Sequence, residues 1–326
     1  MLWKRILSGS LLVAMLLVVM AIDGWLDSQR FAAGPLSILL PEGDRLPRGI
    51  ILLAVLLIVL VPLTREFAWL MRTRGSRVSW GFAYACSAIG AAYLYFWPQG
   101  PNGQGGSTPL AGLLAGVLFL SLIQPLRRGE REGALMSAAA AMLCIVYLGL
   151  MPGFLLAIRW WHPAWTIVAL ILIIKACDIG AYFAGRWFGR TPLIPLISPK
   201  KTVEGLVGGL LFSAMVAVTL AAISNATGVS GHWITNQPVP EFVAYNYPLP
   251  LAAIAGAFLG LVGQFGDLVA SLFKRDAHVK DSGSSVPGFG GMLDVVDSLL
   301  LAAPAGYAIL RFTAWYLSPS SQLAGF

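Results

Sequence analysis

Two aspartates stand three residues apart at the start of a long apolar segment. Asp294 and Asp297 belong to the stretch GGMLDVVDS, which runs directly into LLLAAPAGYAIL. This i, i+3 spacing puts both carboxylates on one face of a helix. Like charges this close repel each other, so without a cation at least one carboxylate is expected to be protonated. A divalent cation such as Mg²⁺ removes the difficulty because it binds carboxylate and phosphate oxygens together. The pair therefore predicts a metal site at the membrane surface.

Two further acids lie inside apolar segments. Asp267 precedes Lys274 and Arg275 by about two helical turns, and Asp178 follows Lys175 by one turn. An ionisable group at such depth costs about 2.5–3.5 kcal/mol on insertion scales, so it usually faces a partner or a wet cavity. Asp178 can therefore simply pair with Lys175, or it can contribute to the metal site as a ligand or as the partner of one.

Basic and hydroxyl side chains occupy two connections rich in Gly and Pro beside these acids. The first, LISPKKTVEG, contains Ser198, Lys200, Lys201 and Thr202, just before a helix that Glu204 would begin. Backbone donors at a helix N-terminus, together with two ammonium groups, suit a polyphosphate. Thr202 can equally be an ordinary N-cap, and the lysines can be a positive-inside anchor.

The second connection, KRDAHVKDSGSSVPGFGG, leads into the two aspartates. Its candidate site residues are Lys274, Arg275, Lys280, Asp281, Gly290 and Gly291. Aspartates in membrane helices also mark proton and cation pathways. Basic residues on the same face would repel a transported cation and attract phosphates. Phosphate chemistry is therefore favoured over ion transport.

The composition places these residues in an integral membrane protein. The chain has 326 residues, of which 57% are hydrophobic and 11% charged. A helix needs about 20 apolar residues to cross the hydrocarbon core, and suitable runs lie near 6–22, 49–64, 78–97, 109–126, 133–157, 164–185, 203–223, 249–273 and 293–317. We therefore expect an all-α polytopic protein with about nine transmembrane helices. Its three cysteines lie in apolar stretches and predict neither a disulfide nor a zinc site.

The distribution of basic residues predicts the orientation. Sixteen of them precede the first span or follow spans two, four, six and eight, whereas five lie on the other side. This asymmetry places the N-terminus and the two basic connections in the cytoplasm, and the net charge of +7 then indicates no nucleic-acid partner. Lys4 and Arg5 before the first apolar run can also mark a signal peptide, but the length of the run favours a retained anchor.

The run SLFKRDAHVKDSGSSVPGFGGMLDVVDS, residues 271–298, resembles the signature of the phosphatidate cytidylyltransferases, also called CDP-diglyceride synthetases. The matching positions are Ser271, Lys274, Arg275, Lys280, Asp281, Pro287, Gly290, Gly291, Asp294 and Asp297. The stretches DIGAYFAGRWFGR and ISPKKTVEG also resemble that family, so the resemblance covers about residues 170–300. Phe289 stands where the family has histidine, and Val295 stands where it has arginine.

The resemblance implies transfer of the cytidylyl group of CTP to phosphatidate in a bacterial inner membrane, with the active site facing the cytoplasm and a homodimer as a further expectation. It implies that residues 161–326 form the catalytic region, after spans one to five in 1–160. Mg²⁺ would be held by Asp267, Asp294 and Asp297. Phosphates would be bound by Lys200, Lys201, Lys274, Arg275 and Lys280, with hydrogen bonds from Ser198 and Thr202.

Three alternatives to this activity stay open at the level of the sequence. A CTP-dependent polyprenol or lipid kinase would use similar ligands but release CDP. An ion transporter would consume no CTP. Phe289 and Val295 suggest a third alternative, a catalytically silent relative, because losing an arginine removes a bidentate phosphate ligand.

Overall fold

The computed structural model describes residues 2–27, 29, 47–96, 107–128, 133–227 and 248–317. The helices are α1 (Leu2–Leu26), α2 (Ile50–Arg72), α3 (Trp80–Phe96), α4 (Ser107–Arg128), α5 (Ala134–Leu143), α6 (Met151–Trp161), α7 (Ala164–Phe188), α8 (Val203–Thr227), α9 (Leu249–Asp276) and α10 (Met292–Leu317), and a π-helical segment (Cys144–Leu150) joins α5 to α6. The expected all-α class is confirmed. Three basic residues counted for the orientation, Arg30, Arg45 and Arg131, lie outside the described residues.

Seven helices in this part of the chain are long and apolar enough to cross a bilayer. They are Leu7–Leu26, Ile50–Arg72, Ala134–Trp161, Ala164–Phe188, Val203–Ala226, Leu249–Asp276 and Met292–Leu317. The chain is therefore an integral membrane protein. The two other predicted spans are shorter than the roughly 20 residues needed, because α3 has 17 residues and the apolar part of α4 is Pro109–Ile123. The count of nine stays a prediction.

One element was not expected from the sequence, a small antiparallel hairpin between α7 and α8. Its strands are β1 (Pro192–Ile194) and β2 (Ser198–Thr202), with Pro192 opposite Thr202 and Ile194 opposite Ser198. These are the only strands among the described residues. The predicted phosphate-binding residues of the first connection therefore lie on a strand that ends where α8 begins.

Helices α7 and α8 approach each other closely at small residues. A methyl group added at Gly180 would lie 2.6 Å from the side chain of Phe212, and one at Gly209 would lie 2.7 Å from the carbonyl oxygen of Cys177. Small residues let membrane helices come this near. The packing explains these two glycines without any catalytic role, and it fixes the two helix ends that carry the hairpin.

The chain forms two compact units, each assembled from separate segments. The first unit comprises Met1–Leu12, Leu53–Ala157 and Gly266–Ala303, and the second comprises Val13–Leu52, Ile158–Phe265 and Pro304–Phe326. The expected division into residues 1–160 and a catalytic region 161–326 was based on the positions of the motifs, and it stays a prediction.

The second unit contains a buried cluster of charges around Arg159. Its guanidinium donates to Asp23 at 2.5 Å, to Asp27 at 2.6 Å and to the carbonyl oxygen of His162 at 3.2 Å. Burial, assisted by the charge of Arg311, lowers the pKa of His162 to about 4. Burial raises the pKa of Asp27 against the opposing effect of Arg159. One guanidinium is shared by two carboxylates, so removing Arg159 would leave both acids without their partner.

Candidate active site

Asp294, at the start of α10, gathers donors from the loop formed by residues 277–291, called here the signature loop. Its Oδ1 accepts from Lys274 Nζ at 2.5 Å. Its Oδ2 accepts from the Ser282 hydroxyl at 3.0 Å, from the Ser282 backbone N–H at 3.1 Å and from the Gly291 N–H at 2.9 Å. The side chains of Lys274 and Asp294 are each only 11% exposed. Asp294 therefore has a counter-charge, the ammonium group of Lys274, within the protein itself.

Glu66 in α2 was missed by the sequence analysis. It is buried, and its carboxylate accepts from the backbone N–H groups of Met292 at 2.8 Å and Leu293 at 3.0 Å. The Ser282 hydroxyl lies 2.9 Å from the same carboxylate. Glu66 thus satisfies donors that the first turn of a helix leaves unpaired. It lies two residues beyond the predicted span 49–64 and directly after Arg65, so the criterion that selected the intramembrane acids did not select it.

The Gly-Gly pair closes the signature loop onto these two carboxylates. Gly290 has a φ of 101°, a conformation that favours glycine, and a methyl group there would lie 2.8 Å from Asp294 Oδ2. A methyl group at Gly291 would collide with the side chains of Ser282 and Glu66. The two glycines therefore allow close approach to the acids, while their predicted role toward substrate stays a prediction.

Asp267 and Asp297 occupy a different environment from Asp294. Asp297 is 5% exposed, and its Oδ1 accepts from the Ser298 N–H at 2.6 Å. Asp267 Oδ1 lies 3.5 Å from the Ser271 hydroxyl.

Three aspartates are the predicted ligands of a divalent cation. The described residues contain no group of three or more His, Cys, Asp or Glu side chains arranged to hold a metal ion. The oxygens of Asp294 accept hydrogen bonds from Lys274 and from three neutral donors in this structure. Asp267 and Asp297 fit by donor chemistry, since hard cations take carboxylate oxygens, and their helices approach closely beside them, where a methyl group at Gly266 would lie 2.6 Å from the carbonyl oxygen of Asp297. The three-aspartate ligand set stays a prediction.

The other candidate residues of the run 271–298 differ in their exposure to solvent. Lys274 is buried beside Asp294, whereas Arg275, Lys280 and Asp281 are exposed. Arg275 donates to the carbonyl oxygen of Val279 at 3.4 Å. Exposed cations can meet a phosphate directly, whereas Lys274 is paired with Asp294 and mostly buried.

In the second unit, Asp178 forms the centre of a hydrogen-bonded chain. It pairs with Lys175 at 3.0 Å, and its other oxygen accepts from Gln264 Nε2 at 2.8 Å. Gln264 Oε1 in turn accepts from Lys201 Nζ at 2.9 Å. The expected Lys175–Asp178 pair is therefore present, and Gln264, which the sequence analysis missed, connects it to a predicted phosphate ligand. Gln264 is uncharged and belongs to no motif, so the sequence gave no reason to select it.

Thr202 caps α8, because its hydroxyl oxygen accepts from the Gly205 N–H at 3.1 Å. The ordinary N-cap reading is thus confirmed, while any contact of Thr202 with phosphate stays a prediction. Glu204 folds back toward the end of α7 and accepts from the N–H groups of Arg190 at 3.1 Å and Thr191 at 3.2 Å. Lys200 is exposed and Ser198 is half-buried on the same strand.

Phe289, one of the two departures from the family pattern, lies at the N-terminal part of α1. A methyl group added at Gly9 would lie 3.4 Å from its ring, and the Ser8 hydroxyl donates to the Pro287 carbonyl at 2.8 Å. The phenylalanine is 45% exposed. It contacts a helix next to the signature loop, and it leaves the bonds of Asp294 intact.

Comparison with known proteins gave consistent matches. The model of the Cytidylyltransferase family matches residues 45–313. The phosphatidate cytidylyltransferase of Chlamydia muridarum is 36% identical over 195 residues, covering 57% of this chain and 59% of the relative. The enzyme of that name from Synechocystis is 34% identical over 227 residues, covering 61% and 68%, and that from Bacillus subtilis is 41% identical over 139 residues, covering 43% and 45%. The chain thus spans 59% of the length of the Chlamydia relative.

Proposed function

The chain belongs to the cytidylyltransferase family, and on that premise we propose that it transfers the cytidylyl group of CTP to phosphatidate, giving CDP-diacylglycerol and pyrophosphate. The observation that carries the proposal is the assembly of the signature residues around Asp294. Lys274, Ser282 and Gly291 all donate to this one carboxylate. The names of the relatives support the choice of both substrates.

In the proposed reaction, a phosphate oxygen of phosphatidate attacks the α-phosphorus of CTP. A new P–O bond forms there, the bond to the oxygen that bridges to the β-phosphorus breaks, and pyrophosphate leaves with that oxygen. A bound divalent cation such as Mg²⁺ would neutralise charge on the phosphates. Catalysis then consists of positioning and electrostatic stabilisation, and it needs no covalent enzyme intermediate.

We assign the cation to Asp267 and Asp297 and give Asp294 a positioning role. The bonds from Lys274 and the signature loop support this division, because they already balance the charge of Asp294. The exposed Arg275 and Lys280 are the proposed phosphate ligands of the first unit. In the second unit the corresponding candidates are Lys200 and Lys201, of which Lys201 is oriented by Gln264.

We further propose that the protein lies in a bacterial inner membrane with the loops around Lys200 and Lys280 in the cytoplasm. The distribution of basic residues supports this orientation, as do the bacterial relatives. Cysteines introduced at these two exposed positions, in a background without the three native cysteines, should resist an impermeant reagent in intact cells. A cysteine at Gln29, which follows the span Leu7–Leu26, should react. The reverse pattern would contradict the orientation.

Product analysis tests the proposed activity. Purified protein in detergent is incubated with CTP, phosphatidate and Mg²⁺, and both the lipid and the nucleotide products are identified. Formation of CDP-diacylglycerol with an equal amount of pyrophosphate supports the proposal. Release of CDP would indicate a lipid kinase, and CTP left unconsumed would indicate a silent relative or a transporter.

A further inference from the structure

Tyr147 has a hydroxyl group that nothing in the described part of the protein satisfies. The side chain is 4% exposed, and its oxygen has no hydrogen-bond partner among the described residues. A buried polar atom without a partner costs stability, and each such case in a native structure needs an explanation. One explanation is that the hydroxyl donates to an acceptor on a molecule that the protein binds.

The backbone around Tyr147 departs from the regular α-helix. The residue lies in the π-helical segment Cys144–Leu150, within the membrane-spanning helix Ala134–Trp161. Short π-helical segments inside α-helices are frequently found at functional sites. The local backbone is thus consistent with a functional role for this turn.

The ring of Tyr147 is fixed by aromatic packing that does not involve the hydroxyl. Its centroid lies 6.2 Å from that of Phe67 and 5.5 Å from that of Phe273, with an interplanar angle of 81° to the latter. Phe67 and Phe273 also contact each other at 5.8 Å. Edge-to-face contacts of this kind stabilise any aromatic ring. Phenylalanine would serve the packing equally well, so the hydroxyl requires a separate reason.

The helices that pack around the ring indicate what the hydroxyl meets. Phe273, which packs against Tyr147, lies on α9 together with Asp267, and a methyl group added at Gly266 of the same helix would lie 2.6 Å from the carbonyl oxygen of Asp297. Asp267 and Asp297 are the acids to which the proposed function assigns the cation. A cation held there would bring phosphate oxygens to the same place, because hard cations bind carboxylate and phosphate together. A phosphate oxygen is the strong acceptor that a buried hydroxyl donor lacks.

We infer that Tyr147 is a catalytic residue whose hydroxyl donates a hydrogen bond to a phosphate oxygen of the substrate bound at Asp267 and Asp297. The inference rests on the proposed function, and it adds a residue that no motif of the sequence contains. The phosphate belongs either to CTP or to phosphatidate, and both present the same acceptor.

The substitution Tyr147→Phe tests the inference because it removes the hydroxyl and keeps the ring. The variant should have an apparent melting temperature in detergent equal to or above that of the wild type, since it loses an unpaired buried group. Its turnover in the complete reaction should fall roughly tenfold, the usual effect of one hydrogen bond made to a charged group. Tyr93→Phe is the matched control, because the Tyr93 hydroxyl is also buried without a partner, and its turnover should be unchanged.

A binding measurement distinguishes the two sources of the phosphate. CTP with Mg²⁺, added without lipid, should raise the melting temperature of the wild-type protein by linkage. If the acceptor belongs to CTP, this rise is smaller in Tyr147→Phe. If it belongs to phosphatidate, the rise is the same, and the loss appears in turnover and in the KM for phosphatidate.

Two results would overturn the inference while leaving the proposed function standing. One is a Tyr147→Phe variant that matches the wild type and Tyr93→Phe in both turnover and ligand stabilisation, as a hydroxyl that holds only a buried water would. The other is a lower melting temperature without ligand, which would indicate a structural partner for the hydroxyl. A wild-type protein that neither binds nor consumes CTP would refute the proposed function and this inference together.

Discussion

The carboxylate of Asp294 is balanced by the buried ammonium group of Lys274, so this pair is a structural unit in the absence of any ligand. Removing one partner leaves the other charge buried and uncompensated, which typically costs about 3–5 kcal/mol. We predict that Asp294→Asn lowers the free energy of unfolding by about this amount, measured by denaturant unfolding in detergent. The matched control is Asp276→Asn, whose partner Arg74 is exposed and whose loss should cost at most about 1 kcal/mol.

The opposite result at Asp294 would also be informative. If Asp294→Asn were as stable as the wild type but had lost its stabilisation by Mg²⁺, Asp294 would be a metal ligand and its bond to Lys274 would be dispensable. That outcome would restore the three-aspartate ligand set expected from the sequence.

At the level of residues, the sequence identified the charged groups but few of their partners. The acids and lysines stand out because ionisable groups inside apolar runs are costly. Their partners come from distant positions, as in the bond between Glu66 and Leu293, which are 227 residues apart. Spacing along one helix cannot show such contacts. Gln264 and Tyr147 carry no charge, so composition gave no reason to select them.

Among the elements, the first turn of α10 depends on a side chain from α2. Glu66 accepts from two backbone donors of that turn, and no donor group can replace it there. We predict that Glu66→Gln lowers the free energy of unfolding by about 1.5–3 kcal/mol, because charge-assisted bonds are lost and an amide N–H₂ group would face backbone N–H groups. The measurement is denaturant unfolding of the purified protein in detergent.

A neighbour on the same helix provides the control for Glu66. Arg65 is exposed and lies over the Trp80 ring at 4.6 Å, a contact worth about 0.5–1 kcal/mol at exposed sites. Arg65→Gln should therefore have a small effect. Equal stability of Glu66→Gln and the wild type would show that the first turn of α10 does not need this carboxylate.

The connection between α6 and α7 carries a pH-dependent contribution to stability. Burial lowers the pKa of His162 from 6.5 to about 4 in the folded protein, so between these values the unfolded chain binds the proton more readily. Stability due to His162 is then full above pH 6.5 and falls as the pH drops toward 4. We predict that His162→Phe loses less stability than the wild type between pH 6.5 and 4, measured by thermal unfolding. The raised pKa of Asp27 affects both proteins alike and cancels in the comparison, and identical pH profiles would contradict the prediction.

Prediction of the elements succeeded where length and hydropathy decide and failed where tertiary contacts do. Each predicted span corresponds to a helical segment among the described residues, since a long apolar run can satisfy its backbone in lipid only as a helix. The hairpin Pro192–Thr202 was not predicted. Its strands have three and five residues, too short to show a period, and their pairing is fixed by the ends of α7 and α8.

For the whole molecule, composition was sufficient to predict an integral membrane protein, and the apolar helices confirm it. The family followed from three short motifs, and the family match extends well upstream of them, to residue 45. The division into two compact units could not be predicted, because each unit combines segments far apart in the chain.

The most direct test of the central claim is to follow each phosphorus atom of CTP. Wild-type protein is given phosphatidate, Mg²⁺ and CTP labelled at either the α- or the γ-phosphorus, and label is counted in the extracted lipid. Cytidylyl transfer predicts that only the α-label enters the lipid, and that Asp297→Asn reduces its rate roughly a hundredfold, as expected for about 3 kcal/mol of lost metal-dependent stabilisation. Entry of the γ-label would indicate phosphoryl transfer instead, and lipid that gains no label from either CTP would contradict the proposed activity altogether.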